Sequence, residues 1–288
     1  MDAVAEVVET YRHDLEEAAE DLRQRGQSFS ESAPKMIEDT RSQIEPTTQE
    51  IVEAVQDTSD ASPPEKPMIE VFAWSTVMVF FANLSIFIGI HFLGPIVSIF
   101  VGKFGAFMLA AVGVPCYAHY TIKKSGVAEA AEAVTGDKSV RMELLSYAIL
   151  QGVLMGYVID SIYLSYIPYA VITPAIITIS FASVAQNANG DRKMLLGGTV
   201  GAAVSFNLML GMITGSLSFV YFLLTLTYAG IAAVIMQLCI KHLKSMSKGH
   251  VYQNALSCGF IVAKGMFFLM FGSYDSDIQE QQEQQPRK

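Results

Sequence analysis

Charged residues are scarce in this chain of 288 residues, and that scarcity excludes most soluble folds. Only 16% of the residues are charged, whereas 51% are hydrophobic, and a typical globular domain carries about 25% charged residues. The shortage is uneven, because residues 1–66 hold 6 basic and 17 acidic residues while residues 67–288 hold 13 basic and 11 acidic. The sequence therefore predicts an acidic, water-compatible N-terminal region followed by an apolar remainder.

Three further features of the sequence exclude classes of function: a shortage of basic residues in the N-terminal region, few cysteines, and no catalytic motif. An acidic N-terminal region would repel a phosphate backbone, so nucleic acid is not expected as a partner. The chain has three cysteines, Cys116, Cys239 and Cys258, which are too few and too dispersed for a disulfide scaffold or a zinc site. They are therefore expected to be buried small hydrophobes, and no metal is predicted. The chain also lacks HExxH, GxSxG and phosphate-binding glycine loops, so neither an enzyme nor a cofactor is expected.

Long apolar runs dominate the sequence from Val71 onward. A bilayer core about 30 Å thick takes about 20 apolar residues of helix. Seven stretches approach that length, which predicts an all-α polytopic membrane protein with a seven-transmembrane helix bundle over residues 67–272 and with the lipid bilayer as a partner. The predicted spans are 71–93, 95–120, 143–163, 167–186, 194–214, 217–240 and 251–272.

The basic residues predict how this bundle is oriented. Lys and Arg occur in the connections after the second, fourth and sixth spans, whereas the connections near Gly94, Ser165 and Gly215 contain none. Because cytoplasmic loops carry the excess of Lys and Arg, the N-terminus is expected in the cytosol and the C-terminal tail on the opposite side.

The acidic region 1–66 has a helical pattern of apolar residues at its start, from Val4 to Leu22. Two interpretations remain open: a docking helix for a basic partner, or a partly disordered, solvated tail. The stretch from Ser59 to Pro67 is predicted to be a linker, and residues 273–288 a disordered polar tail.

Three ionisable residues interrupt the predicted spans: Lys103, Asp160 and Lys264. A charge at the centre of a span costs about 2.5–3.5 kcal/mol on insertion scales, and all three are predicted in the outer half of the membrane. We expect Asp160 to pair with Lys264 or Lys103; the alternative is that both lysines extend outward to the interface.

Small and amide residues predict how the helices pack. Two small-xxx-small patterns in the fifth span indicate an interior helix in contact with several neighbours: Gly197 with Gly201, and Gly211 with Gly215. Asn207 and Asn254 are expected to bridge helices by hydrogen bonds.

From about residue 143 onward, four runs carry a resemblance to a known family: GYVIDSIYLSYIPYAVITPAIITISFASVA, DRKMLLGG, LTYAGIAAVIMQLCIKHL and, after a short basic loop, VYQNALSCGFIVAKGMFFLM. They resemble the Bax inhibitor family, also called the transmembrane Bax inhibitor motif family. The matching features are Asp160 at the end of the third helix, Pro174 in the fourth, and Leu196 followed by Gly197 and Gly198 opening the fifth.

This resemblance implies an intracellular-membrane protein that modulates cell death and leaks Ca²⁺ in a pH-dependent way. The membrane would be the endoplasmic reticulum or Golgi, with the mitochondrial inner membrane as an alternative. The two aspartates to which the family's leak is attributed are absent, since Ile235 or Met236 and Ile261 or Val262 stand in their places. Without two carboxylates to share a proton, that gating does not transfer.

Two functions of different classes therefore remain. The first is a divergent Bax-inhibitor-like protein that passes or regulates Ca²⁺ through a polar path lined by Asp160. The second is a non-conducting membrane scaffold or accessory subunit, which binds another membrane protein through its acidic N-terminal region or its basic loops.

Overall fold

The computed structural model describes residue 49 and residues 51–60, 65–128, 136–164, 169–242 and 246–274. The chain divides into two compact units, Met1–Glu53 and Ala54–Lys288. The first unit contributes only residues 49 and 51–53 to the described part. The prediction of an N-terminal amphipathic helix therefore lies outside the described residues. The predicted disordered C-terminal tail, 273–288, also lies outside them except for Ser273 and Tyr274, which form a strand and not a disordered segment.

The described part of the second unit is all-α apart from two short strands. Its helices are α1 (Glu65–Ile88), α2 (Gly94–Phe100), α3 (Lys103–Met108), α4 (Val114–Ala128), α5 (Gly136–Val158), α6 (Thr173–Ala188), α7 (Arg192–Ile213), α8 (Phe219–His242) and α9 (Met246–Phe271). π-helical turns join α1 to α2 (Gly89–Leu93) and α3 to α4 (Leu109–Gly113), and a 3₁₀ turn, Tyr169–Ile172, precedes α6. Strands β1 (Ile162–Tyr163) and β2 (Ser273–Tyr274) pair antiparallel.

The helix ends gather at two places, for which we use fixed names. The basic end contains the start of α1, the end of α4 and the start of α5, the connection between α6 and α7, and the connection between α8 and α9. The strand end contains β1 and β2 together with the turn between α2 and α3. These two ends locate the polar groups discussed below.

Within the described residues, six helical stretches are long and apolar enough to cross a membrane: Glu65–Phe100, Lys103–Ile122, Tyr169–Ala188, Arg192–Ile213, Phe219–His242 and Gly249–Phe271. The prediction of membrane-length apolar helices is confirmed for these six, while the count of seven is not. Helix α5 is not apolar enough to be counted among them. Its second half contains Gln151, and its first half contains four charged residues: Asp137, Lys138, Arg141 and Glu143.

The connection between the first and second spans is not where the sequence predicted it. A turn was expected at Gly94–Pro95, but the chain stays helical to Phe100 and turns at Val101 and Gly102. Proline lacks an N–H and clashes with the carbonyl four residues earlier, so it usually ends a helix. Here the wider π-helical turn directly before it changes the hydrogen-bond register, and Pro95 sits in the first turn of α2, where its missing N–H matters little.

Buried apolar side chains form two cores that share α1 and α9. The first core lies between α1, α6, α7, α8 and α9, and the second between α1, α3, α4, α5 and α9. On α9 the adjacent residues Phe260 and Ile261 point into different cores, and Phe260 stacks on Tyr228 at 4.2 Å between ring centroids. Helices α1 and α9 are therefore the central pair of the bundle.

Much of the outer surface is apolar. Only 22% of the apolar window in α7 is buried within the chain, and large apolar side chains such as Phe80, Ile179 and Ile213 are exposed. Of the cysteines, Cys239 is buried as expected and Cys258 is half-buried, but Cys116 is exposed. Exposed apolar patches of this kind are typical of surfaces that contact a membrane or another protein.

Candidate functional site: a polar clamp at the basic end

A nearly buried arginine lies at the basic end, where α7 begins. Asn189 and Gly190 both have positive φ angles, of 48° and 89°, which turn the chain sharply after α6. Asp191 then caps α7 by accepting hydrogen bonds from the backbone N–H groups of Lys193 and Met194, at 2.9 and 3.1 Å. This turn places Arg192 at the first helical position, where it is only 2% exposed.

Arg192 is held by a carboxylate and by an amide. Its Nη1 lies 2.6 Å from Oδ2 of Asp57, and its Nε donates to Oε1 of Gln237 at 2.6 Å. Charge-assisted bonds of this length are among the stronger polar contacts in proteins. Because a buried guanidinium is costly without partners, these two residues account for its position.

Gln237 also binds the segment that precedes the bundle. Its Nε2 donates to the backbone carbonyls of Val55 and Asp57, at 3.3 and 3.4 Å. Ala54 is fully buried at the start of the same segment. Arg192 and Gln237 thus clamp residues 54–57 onto the ends of α7 and α8, and we call this arrangement the basic-end clamp.

The Asp57 carboxylate is kept ionised mainly by Ser59, which lies two residues further along the chain. The Ser59 hydroxyl and backbone N–H both donate to Oδ1, at 2.6 and 3.0 Å. Together with the more weakly acting Arg192, these bonds lower the pKa of Asp57 from 3.8 to about 2. Asp57 is therefore a carboxylate at any physiological pH.

A second polar group lies at the basic end beside α1, α5 and α9. Arg141 and Glu70 form an ion pair at 3.3 Å, and Gln253 donates to the Glu70 carbonyl at 3.5 Å. His250 Nδ1 lies 3.0 Å from Oε1 of Gln253. These side chains connect three helices and line a small pocket.

The three predicted intramembrane charges do not form the expected ion pair within the described residues. Lys103 is the first residue of α3, at the strand end rather than inside a span, and its Nζ donates to the backbone carbonyl of Asp160 at 3.0 Å. Lys264 instead donates to Oδ1 of Asn83 on α1. The predicted ion pair is absent because Lys103 binds the backbone carbonyl of Asp160 rather than its carboxylate, and because Lys264 binds the amide of Asn83.

Of the four glycines predicted to pack helices, only Gly211 has a close neighbour outside its own helix, the ring of Tyr221. Gly197, Gly201 and Gly215 have open space at the position of a Cβ atom. Helix α7 is therefore peripheral within the chain, and the prediction of an interior fifth helix is wrong. Gly211 sits where α7 approaches the start of α8, which explains its different surroundings.

Both asparagines predicted to bridge helices do so. Asn207 on α7 donates to the Thr173 hydroxyl on α6 at 2.9 Å. Asn254 on α9 donates to the Pro115 carbonyl on α4 at 3.4 Å. These predictions are confirmed.

The sequence reasoning missed the basic-end clamp and the close crossing of α1 and α5. Arg192 was read as one of several loop cations, although its position beside a capping aspartate was a signal that it starts a helix. At the crossing, a Cβ on Gly152 or Gly156 would fall on the carbonyl oxygen of Ala82 or Ile86. The spacing of Gly152 and Gly156 was a usable signal for that contact.

Within the part of the chain that the structure describes, no group of three His, Cys, Asp or Glu side chains is arranged to hold a metal ion. The basic-end clamp instead binds a segment of the chain itself. The guanidinium of Arg192 and the amide of Gln237 hold residues 54–57, in which Ala54 is buried.

A family model described as "Interactor of ZYG-11" matches residues 1–274. No curated protein and no solved structure matches the chain in these comparisons.

This match corrects the expected family. The resemblance to the Bax inhibitor family is wrong, and so are the expectations of a Ca²⁺ leak, calcium homeostasis and regulation of apoptosis that depended on it. A proline near the start of one apolar helix and two glycines near the start of the next suit many membrane bundles, so they did not discriminate between families.

Proposed function

The chain belongs to the Interactor of ZYG-11 family, and from that premise we propose that it is a membrane-embedded helical scaffold that binds a ZYG-11 protein on its cytosolic side. The observation that carries this proposal is the extent of the match, which covers both the acidic N-terminal region and the helical bundle. Because the match extends over that length, the chain shares with the family a whole architecture rather than one small pocket.

The interior of the bundle supports a scaffold. Its two cores are filled by apolar side chains, among them Phe72, Met78 and Phe260, each at most 1% exposed. Asp160 lies at the strand end, where its backbone carbonyl accepts from Lys103. A bundle packed in this way offers its ends and its loops to a partner, and we place ZYG-11 binding at the acidic N-terminal region or the basic loops.

We further propose that α5 is the seventh membrane crossing. It runs parallel to α1, since Arg141 contacts Glu70 near one end while Gly156 packs on Ile86 near the other. Its central Gln151 is fully buried and donates to the Ala110 carbonyl at 2.7 Å, so this polar group would not face lipid. Seven crossings put the basic end and the acidic N-terminus in the cytosol, in an intracellular membrane such as the endoplasmic reticulum or Golgi.

Binding can be measured with the full chain in lipid nanodiscs and a purified ZYG-11 protein. We expect saturable binding that weakens as salt rises, because exposed charges on both partners are screened. Empty nanodiscs are the control for lipid binding. If the ZYG-11 protein binds loaded and empty nanodiscs equally, the proposal fails.

Two sets of charge-neutralising variants separate the candidate surfaces. Glu16→Gln with Glu17→Gln tests the acidic N-terminal region, and Lys123→Gln with Lys124→Gln tests the last turns of α4 at the basic end. We expect one pair to weaken binding about tenfold, equivalent to about 1.4 kcal/mol, because two charges that attract the partner are lost together. If neither pair changes binding, the partner uses a different surface and the charge-based placement is wrong.

A further inference from the structure

Residues 54–60 form a short segment held to the bundle by few contacts. Ala54 is buried, the carbonyls of Val55 and Asp57 accept from Gln237, and the Asp57 carboxylate meets Arg192. Beyond Asp57, the side chains at 58, 59 and 60 are exposed. The attachment therefore depends on the carboxylate of Asp57 and on one amide.

The Ser59 hydroxyl is both exposed and part of this attachment. Its Oγ donates to Oδ1 of Asp57, whose other oxygen, Oδ2, meets Arg192. A chemical change at this hydroxyl would act directly on the carboxylate that closes the basic-end clamp. Thr58, next to it, makes no side-chain hydrogen bond within the described residues, so it is a natural control position.

We propose that Ser59 is a phosphorylation site and that its phosphate opens the basic-end clamp. In the reaction a protein kinase transfers the γ-phosphoryl group of ATP to Oγ: the new O–P bond replaces the bond to ADP, and the hydroxyl proton is released. This inference concerns the chain alone and does not depend on the identity of its partner.

The geometry explains why a phosphate is incompatible with the closed clamp. The phosphorylated oxygen has no proton, so it loses the 2.6 Å hydrogen bond to Asp57. A phosphate carries a charge of about −1.5 to −2 at pH 7 and would lie beside an ionised carboxylate. Like-charge repulsion then separates residues 57 and 59, and Asp57 leaves Arg192.

The surrounding sequence indicates the class of kinase. Asp57 and Asp60 flank the site within two residues, and Glu65 follows. Acidic neighbours of this kind suit a kinase whose substrate groove is basic, because opposite charges guide the encounter. Opening the clamp would uncover Arg192 and Gln237 at the basic end.

The decisive test uses full-length protein in nanodiscs with phosphoserine introduced genetically at one position. Ser59→phosphoserine is compared with Thr58→phosphoserine, which adds the same charge one residue away. We expect amide hydrogen exchange in residues 54–60 to become at least about tenfold faster for the first variant only, because an ion pair and several hydrogen bonds are lost together.

Asp57→Asn serves as a reference for the open clamp and should give a similar increase. Unchanged exchange in the interiors of α1 and α9 shows that each variant is folded. If phosphoserine at 59 leaves the exchange of residues 54–60 unchanged, or if the change equals that at position 58, the phosphate does not open the clamp and the proposal is overturned.

Accessibility to a kinase is tested separately on the unmodified protein. Incubation with ATP and an acid-directed Ser/Thr kinase, followed by mass spectrometry, should place phosphate on Ser59, and Ser59→Ala should remove that signal. Phosphate absent from Ser59 while other exposed serines are modified would overturn its assignment as a site.

Discussion

The ionisation of Asp57 shows how one side chain at the basic end depends on its neighbours. Two donors from Ser59 contribute most to its low pKa, and Arg192 adds to them. Because the folded pKa lies below the ordinary value of 3.8, the carboxylate strengthens the clamp fully above that value. The contribution disappears as the pH falls towards about 2.

This order of causes predicts the effect of Ser59→Ala. The variant removes the hydroxyl bond but keeps the backbone N–H, so the pKa of Asp57 should rise towards its ordinary value. ¹³C NMR titration of the Asp57 carboxyl group measures this directly. A pKa that stays near 2 in Ser59→Ala would mean that the backbone N–H of residue 59 and Arg192, rather than the hydroxyl, keep the pKa of Asp57 low.

The hydrogen bond between Lys264 and Asn83 predicts how the stability of the bundle changes when a partly buried charge loses its partner. Within the described residues Asn83 is the hydrogen-bond acceptor of this amine, and no carboxylate pairs with it. Asn83→Leu should therefore lower the free energy of unfolding by about 1–3 kcal/mol, because a buried donor loses its acceptor. Lys264→Met removes the amine itself and should be neutral or stabilising.

The double variant provides the control for this pair. Once Lys264 is methionine, Asn83→Leu should cost much less than it does alone, and thermal unfolding in detergent measures the difference. Additive effects would show that the two side chains act independently and that their hydrogen bond contributes little.

The sequence revealed these residues but not their partners. Lys103, Asp160 and Lys264 were visible as rare charges in apolar sequence, and Asn207 and Asn254 as amides able to bridge helices. The partner of Lys264 lies 181 residues away, and no pattern within a helix specifies such a contact. The same limit hid the bond between Asp57 and Arg192.

At the scale of elements, the contact between α1 and α5 depends on the absence of side chains. Gly156 packs on the carbonyl oxygen of Ile86, which is backbone and cannot move aside locally. Gly156→Ala should therefore destabilise the bundle by about 1–3 kcal/mol through overpacking. The measurement is the midpoint of thermal unfolding in detergent.

Gly201→Ala is the matched control for this prediction. Gly201 lies on exposed helix surface with open space at its Cβ position, so the change adds helix propensity without a clash and should be neutral or slightly stabilising. A loss of stability equal to that of Gly156→Ala would mean that α7 makes a close contact outside this chain.

Helices were easier to predict than the way they pack. Runs of about 20 apolar residues identified most of them, because the length of an apolar run is a local property. The glycine pattern alone could not distinguish α7, which is peripheral, from α5, which packs closely on α1, since both contain glycines four residues apart. The turn at Val101 was missed because a π-helical turn has no strong sequence signal.

For the molecule as a whole, the two cores around α1 and α9 explain why a fold could be predicted where a family could not. A bundle of apolar helices requires only hydrophobic length, small residues and occasional polar bridges. Those requirements are common to many membrane proteins, so they produced a plausible but incorrect resemblance. The match to the family model instead covers residues 1–274, which include the acidic N-terminal region as well as the bundle.

The number of membrane crossings predicts which residues share a side. With α5 as a crossing, Lys193 at the basic end lies with the N-terminus, and Tyr163 on β1 lies on the opposite side; both side chains are exposed. In sealed vesicles with a tag at Met1 accessible from outside, an impermeant maleimide should label Lys193→Cys directly. Tyr163→Cys should react only after detergent is added.

Cys116→Ser is the parent for both variants, because Cys116 is exposed and would react itself. If α5 did not cross, Tyr163 would stay with the N-terminus and Lys193 would move to the other side, so the two labelling patterns would exchange. That arrangement would also place Arg192, Lys193 and Lys241 away from the cytosol, against the usual distribution of basic residues. The exchanged pattern would reduce the crossings to six and would put Asp57 and Arg192 on opposite sides of the membrane, so it would contradict the basic-end clamp as well.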